Sequence, residues 1–440
     1  MSDQTKTVSI WREAAFRAYL GSTGFSGMAL AMQQLLLSWI LIGILALPAD
    51  QVGLIQAVIG LPGVLLMLAG GASADRTDAR QMLIRIYLVA PIFPLFLVLM
   101  EQWHLLGVAS VIAWGLGMTV VQSYSMPGQQ ALLNRIAGQN IQQGVTAATA
   151  IGFVVQVVGL ILAGQIDNVG VTPVLLSQAI ALGLAGLMMI RLPSVQPSVQ
   201  PSAQQAPAGK AQQSDREGAL AGIGQGLRAT KDHPVIFNVL LITFASSIFN
   251  AGSFITVFPF IVARVYDGTA WLLALLMAVF YAGATLSNVL LLRYQPLLRP
   301  GKLFLIMQLS RILVIFLMWI EPPFWLLVVA TIGWGLNMGI TTNLARSIVQ
   351  ESAPKPYLGR ILSVFSIGMV GSAPLGAIVL GWLIVATGTL NEQDVAADPL
   401  QQFTQWFAEA ERAEVLDYSA MALATAHQHG PTVRIVLLKG

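Results

Sequence analysis

The chain has 440 residues, of which 56% are apolar and only 10% charged, with a mean hydropathy of +0.73. Soluble domains carry about 25% charged residues, so water is excluded as the main solvent. The net charge of +3 is small and spread over short connectors, which argues for membrane topology over nucleic-acid binding, and the lack of cysteine excludes disulfides, thiolate chemistry and cysteine-type zinc sites.

A membrane helix needs roughly 20 apolar residues. The pattern predicts spans near 18–46, 51–73, 82–100, 104–126, 142–163 and 171–190, then 236–260, 270–292, 303–320, 323–345 and 360–386. The first run follows a polar start with Lys6, Arg12 and Arg17 and is too long for a cleavable signal. The expected architecture is therefore an all-α polytopic membrane protein with six spans, a linker and five more. Domain boundaries fall at 1–191, 192–234, 235–390 and a non-membrane tail at 391–440.

Between the second and third spans lies Gly71-Ala-Ser-Ala-Asp75-Arg76-Thr-Asp-Ala-Arg80. Charge this dense is costly in lipid, so the segment is expected as a loop in water, with Asp75 capping the next helix. The linker repeats Pro193-Ser-Val-Gln, Pro197-Ser-Val-Gln and Pro201-Ser-Ala-Gln, a composition expected to be disordered. Residues 217–231 are expected as a surface helix. With the N-terminus cytoplasmic, eighteen Lys and Arg residues fall on inner segments and only Arg264 on an outer loop, a strong positive-inside bias.

The halves echo each other. Trp114-Gly-Leu-Gly-Met118 opens the fourth span of the first, and Trp334-Gly-Leu-Asn-Met338 opens the fourth span of the second. Paired six-helix repeats are a transporter design.

Residues 12–386 resemble the major facilitator superfamily, in particular the branch of bacterial exporters containing the enterobactin exporter and macrolide-efflux-like proteins. The resemblance is carried by Met32-Gln33-Gln34, Gly71…Asp75-Arg76…Arg80, Pro127-Gly-Gln-Gln-Ala-Leu-Leu133, the Gly226-Leu-Arg228…His233-Pro234 approach to the seventh span, Gly359-Arg360-Ile-Leu-Ser363 and Ala373-Pro374-Leu-Gly376. It implies the major facilitator fold, secondary transport by alternating access and a gating role for Gly71, Asp75, Arg76 and Arg80. It also implies ion-gradient coupling, with a proton gradient as a partner. Three features depart from the family pattern. Leu160 follows Gly159 where many drug antiporters have proline, helices 1 and 4 contain no acid, and a twelfth helix is not visible.

The tail, including Ala397-Asp-Pro-Leu-Gln-Gln-Phe-Thr-Gln-Trp-Phe407 and Pro431-Thr-Val-Arg434-Ile-Val-Leu-Leu-Lys439, resembles the start of pyridoxamine 5′-phosphate oxidase. That family would use Arg434 and Lys439 toward FMN phosphate and substrate. The resemblance ends at Gly440, so a fused or truncated segment is expected, with no FMN binding and no cofactor expected.

No catalytic constellation or metal cluster is visible, so the chain is not read as an enzyme. Polar residues within spans that can line a cavity are Gln33, Gln34, Gln122, Tyr124, Asn250, Arg311, Asn337 and Asn343. Helix–helix hydrogen bonding is the competing role for each. Arg311 either snorkels to the cytoplasmic face or attracts an anion. Trp39, Phe249, Phe254, Phe258, Phe280 and Tyr281 could stack a hydrophobic cargo. Gly152, Gly159, Gly164, Gly368, Gly371, Pro374 and Gly376 suit close helix packing. The leading expectation is a monomeric bacterial inner-membrane exporter of an amphipathic small molecule, a siderophore or drug, with no nucleic-acid partner. The alternatives are a facilitator or importer of an organic anion and a nonfunctional transporter–oxidase fusion.

Overall fold

The computed structural model describes residues 13–76, 78–137, 141–193, 228, 230–231, 233–293, 299–319, 322–354, 358–386, 401, 403–404, 407–408, 420–427 and 430–437. The expected linker thus lies almost wholly outside the described residues, as does most of the helix expected at 217–231.

The first half comprises α1 (Ala14–Trp39), α2 (Ala49–Arg76), α3 (Ala79–Val89), α4 (Ile92–Gln102), α5 (Val108–Ala137), α6 (Ile141–Ala163), the short α7 (Ile166–Val169) and α8 (Val171–Ile190). The second comprises α9 (Pro234–Gly252), α10 (Phe258–Arg264), α11 (Ala270–Arg293), α12 (Pro300–Trp319), α13 (Phe324–Ser352) and α14 (Leu358–Ala386). Wide π turns at Ile40–Ile44 and Ser253–Val257 extend α1 and α9. With α3–α4 and α9–α10 each making one crossing, the described residues form six spans and then five.

Ten of these spans are long and apolar enough to cross a membrane. The eleventh, α5, is diluted by Gln122, Ser123, Tyr124, Ser125, Gln129 and Gln130. It nevertheless sits inside the bundle, where Trp114 is fully buried. Pro62, Pro127 and Pro374 lie inside helices, as neighbouring helices in a bundle permit.

Three expectations need correction. The segment 71–76 is not a loop, because α2 stays helical through Arg76. Charge signals water but does not break a helix, and the Ala-Ser-Ala run favours helix, so α2 projects beyond its apolar stretch. Gly71, Asp75 and Arg76 lie on its last turns, and their side chains lie outside the described residues. The cap of α3 is Asp78, not Asp75: its carboxylate accepts the Arg80 backbone N–H at 3.0 Å. The third span is also not continuous. It breaks at Ala90-Pro91, where proline cannot donate the helical hydrogen bond.

Residues 386–440 form a separate compact unit. Its strands β1 (Ala420–His427) and β2 (Gly430–Leu437) pair antiparallel, with Ala420 opposite Leu437 and Leu423 opposite Arg434. Residues 401, 403–404 and 407–408 are helical. The all-α description therefore belongs to the membrane unit, and the tail adds a hairpin.

Candidate functional site

The two halves are joined by hydrogen bonds near the end of the bundle where α1 turns into α2. The π turn of α9 presents the Ile255 carbonyl, which accepts from Ser38 Oγ and Gln56 Nε2, both at 3.0 Å. Such turns recur at functional positions because they widen the helix. Asp167 of α7 makes a second bridge. One carboxylate oxygen accepts from Trp39 Nε1 at 2.8 Å, and the other accepts the Ala270 backbone N–H at 2.6 Å. A carboxylate from the first half thus satisfies a first-turn donor of α11 in the second, where helix N–H groups have no partner of their own. Arg264 Nη2 reaches the Ala46 carbonyl at the same end.

Close backbone approach reinforces this end. A Cβ on Gly53 would land on the Ala377 carbonyl, and one on Gly381 would lie 2.5 Å from the Ala49 carbonyl, so α2 and α14 touch with no side chain between them. Gly164 meets Ala274 across the halves, a Cβ there lying 2.6 Å from the alanine methyl. Pro374 packs 3.2 Å from where a Gly60 Cβ would stand. Gly159 approaches the Met28 carbonyl within the first half, and Gly376 the Ile248 carbonyl within the second. Gly152 and Gly371 have nothing within 4 Å of a Cβ, so close packing does not explain them. Both face space that neighbouring helices leave open.

In the C-terminal part of α1, Gln34 Oε1 accepts from Tyr281 of α11 at 3.1 Å, across the halves. Gln33 Oε1 accepts from Gln178 at 3.2 Å, within the first half.

The second half holds the most polar interior. Arg311, expected either to snorkel or to face a ligand, turns onto α13 and is only 6% exposed. Its Nε donates to Asn337 Oδ1 at 3.0 Å, and Nη2 donates to Thr341 Oγ1 at 2.6 Å. Snorkelling is thus replaced by burial. Asn337 is oriented for this task by donating to the Met307 carbonyl and to Ser310 Oγ. The guanidinium borders a small cavity of about 30 Å³, lined also by Thr243, Ser246, Asn250 and Gln308. Next to it, sharing Thr243 and Met369, opens an apolar cleft of about 380 Å³ between α2, α9 and α14.

The other expected residues are placed differently. Asn250 accepts from Trp334 Nε1 at 2.7 Å. Gln122 and Asn343 are exposed and Tyr124 is half-buried, with Asn343 donating to Asn288 Oδ1 at 2.6 Å. Arg80 does not cross the halves among its described bonds: it donates to the carbonyls of Leu192 at 2.7 Å and Ile190 at 2.9 Å, at the end of α8. Phe254, Phe258 and Phe280 are buried against one another and Trp334, with ring centroids 4.5–6.2 Å apart. Their faces are consumed by core packing and are not open to a cargo. Arg434 lies on β2, and Lys439 is outside the described residues.

Sequence reasoning passed over Ser38, Gln56 and Asp167. The first two act on a backbone carbonyl, which carries no side-chain signature. Asp167 left one faint signal, as an acid in a connector with few charges.

Comparisons with known proteins match the membrane helices and the tail to different families. The family model of the Major Facilitator Superfamily matches residues 19–377. Among solved structures, similar folds include a bacterial homologue of the human lysosomal transporter Spinster, in an inward-facing and unoccupied conformation. Its TM-score is 0.68 at 13% identity, over 93% of this chain and 86% of that one. The nucleoside transporter NupG aligns with a TM-score of 0.63 at 13% identity, over 85% of this chain and 92% of that one. The tail is similar to pyridoxine/pyridoxamine 5′-phosphate oxidases: 56% identical to that of Cupriavidus pinatubonensis and 52% to that of Bordetella pertussis, each over 54 residues. The alignment takes 12% of this chain and 26% of each oxidase, so the chain spans about a quarter of these relatives' length.

Proposed function

Because the chain belongs to the major facilitator superfamily, we propose that it is a secondary carrier that exports an amphipathic small molecule across a bacterial inner membrane. The distribution of basic connectors supports a cytoplasmic N-terminus. Transport proceeds by alternating access, the two halves tilting about a central path. The observation that carries this reading is the seam near the α1–α2 turn, where Ser38, Gln56 and Asp167 join the halves. With the N-terminus cytoplasmic, that seam closes the outer side, and the resting state is inward-facing.

The opposite gate is assigned to Gly71, Asp75, Arg76 and Arg80, at the inner junction of α2 and α3. It would engage when the outer seam opens. Gln34, Asn250 and Asn337 are assigned to the transport path, and the carrier works as a monomer. Ion coupling is expected from the family, with protons as the leading candidate. No catalytic residue is assigned, and the tail is not assigned a working FMN site.

The test is accumulation of a lipophilic fluorescent dye or siderophore in cells. Deleting the gene raises intracellular accumulation, the intact chain restores efflux, and Asp75→Asn does not. Full efflux by Asp75→Asn would remove the gate assignment, and unchanged accumulation on deletion would remove export of the tested cargo. Arg311, a cation in the interior, favours a second reading as a facilitator or importer of an organic anion. Uptake in place of efflux would select it.

A further inference from the structure

Arg311 is buried near the middle of α12, yet its bonded partners, Asn337 and Thr341, are neutral. From Pro234 to Ala386 the chain has three acids, Asp267, Glu321 and Glu351. Glu351 sits near the end of α13, ten residues beyond Thr341, and its carboxylate accepts from Ser347 Oγ at 3.0 Å. Among the described residues Arg311 has no carboxylate partner. A buried charge without a counter-ion is expensive in hydrocarbon, and such residues mark ligand paths by default. Among the described residues, two of the five guanidinium N–H groups are engaged.

Two further polar atoms at the same cavity lack partners. Thr243 Oγ1 and Gln308 Oε1 are buried without any hydrogen bond, and both residues line the space beside Arg311. Thr243 is 6% exposed. Buried polar groups are nearly always satisfied, so an orphaned hydroxyl next to an unpaired cation calls for an explanation. The cavity itself, about 30 Å³, has room for little more than one water-sized group. The apolar cleft beyond it, about 380 Å³, falls within the size range of small-molecule sites and meets the cavity at Thr243 and Met369.

We propose that these two spaces form one bipartite site for a lipophilic carboxylate, with the carboxylate on Arg311 and Thr243 and the apolar body in the cleft bordered by Val64, Phe244 and Gly368. This names the cargo class of the carrier and rests on the transport reading. The cleft is bordered by both halves, through Val64 on α2 and Phe244 on α9, so a molecule lying in it touches both of the bodies that must move. Gln308 Oε1 is an acceptor and would not face the carboxylate. It suits a hydroxyl or amide N–H on the cargo.

The test uses the purified full-length chain in a nonionic detergent, with thermal unfolding followed by tryptophan fluorescence. Sodium octanoate is the probe, octanamide its neutral counterpart, and sodium acetate and sodium chloride the small-ion controls. Octanoate is expected to raise the midpoint, and the other three to raise it little. Arg311→Gln is expected to weaken octanoate by about tenfold or more, as loss of a charged hydrogen-bonding partner implies. Arg311→Lys is expected to retain part of the effect. If Arg311→Gln does not fold, Gly368→Leu reads the other subsite: it narrows the cleft next to Phe244 and should abolish the octanoate shift. Equal shifts from octanoate and octanamide would overturn the proposal. So would a full shift from acetate or chloride alone, or an octanoate shift that survives Arg311→Gln. Flux in proteoliposomes separates this from the transport reading. Octanoate binding without flux of any cargo breaks the carrier assignment and leaves the site, whereas dye efflux with no octanoate binding does the reverse.

Discussion

The fourth span of each half carries the same tryptophan-glycine-leucine in its interior, at Trp114 and Trp334, and the two copies have diverged in what surrounds them. Trp114 and Trp334 are both fully buried. In the first half, Gly117 lets Phe93 of α4 press onto α5. In the second, the corresponding residue is Asn337, and its amide is turned by Met307 and Ser310 to receive Arg311. One copy uses the space for apolar packing, and the other for a cation and a polar cavity. A duplicated frame can thus keep its packing in one half and place chemistry in the other, and the departure from repeat identity marks where.

The glycine after each tryptophan offers the largest test of that contrast. A Cβ on Gly335 would land on the Phe280 carbonyl, which belongs to the backbone of α11. A Cβ on Gly115 would lie 2.6 Å from Ile59 Cδ1, the tip of a flexible side chain. Overpacking costs about 1–3 kcal/mol and more where the backbone must move. Gly335→Ala is expected at or above the top of that range, seen as lost folded yield in size-exclusion chromatography. Gly115→Ala should stay near the bottom and elute normally. Equal behaviour would mean that the two copies pack alike.

The tryptophans themselves sharpen the comparison at a smaller scale. Trp334 Nε1 donates to Asn250 Oδ1, whereas Trp114 Nε1 is buried with no partner. Trp334→Phe leaves Asn250 without its donor, at about 1–3 kcal/mol for an unsatisfied buried group, added to the lost volume. Trp114→Phe loses similar volume but removes an orphaned donor. Its unfolding midpoint in detergent should therefore fall less than that of Trp334→Phe. A larger fall for Trp114→Phe would show that its indole N–H is bonded in the membrane.

How much of this was legible beforehand depends on which signal each feature leaves. The spans follow from hydropathy because hydrocarbon enforces it on every residue facing lipid. The break at Pro91 was hidden because the run from Met82 to Met100 stays largely apolar across it. The helical backbone through Arg76 was hidden for the opposite reason, since charge reports solvent and not dihedral angles. Arg311 and Asn337 were each visible as polar residues in apolar helices, but their pairing was not. It depends on the rotation of α12 against α13. The Ile255 carbonyl was out of reach, because a backbone acceptor freed by a π turn has no composition.

Asp167 tests how the two unequal halves are held together, and its expected effect is the smallest. Its carboxylate bonds Trp39 in its own half and the first turn of α11 in the other. Removing a capping acceptor costs about 0.5–2 kcal/mol. If that contact exists only while this end is closed, Asp167→Ala shifts the open population by roughly two- to thirtyfold. The chain has no native cysteine, so one introduced at fully buried Thr256 can be labelled without background. Its maleimide labelling should accelerate within that range in Asp167→Ala, and less in Asp167→Asn, whose amide oxygen can still accept from Ala270. An unchanged rate in both would mean that this end opens without breaking either bond of Asp167, with Trp39, α7 and the start of α11 moving as one body and the boundary between the moving bodies lying elsewhere.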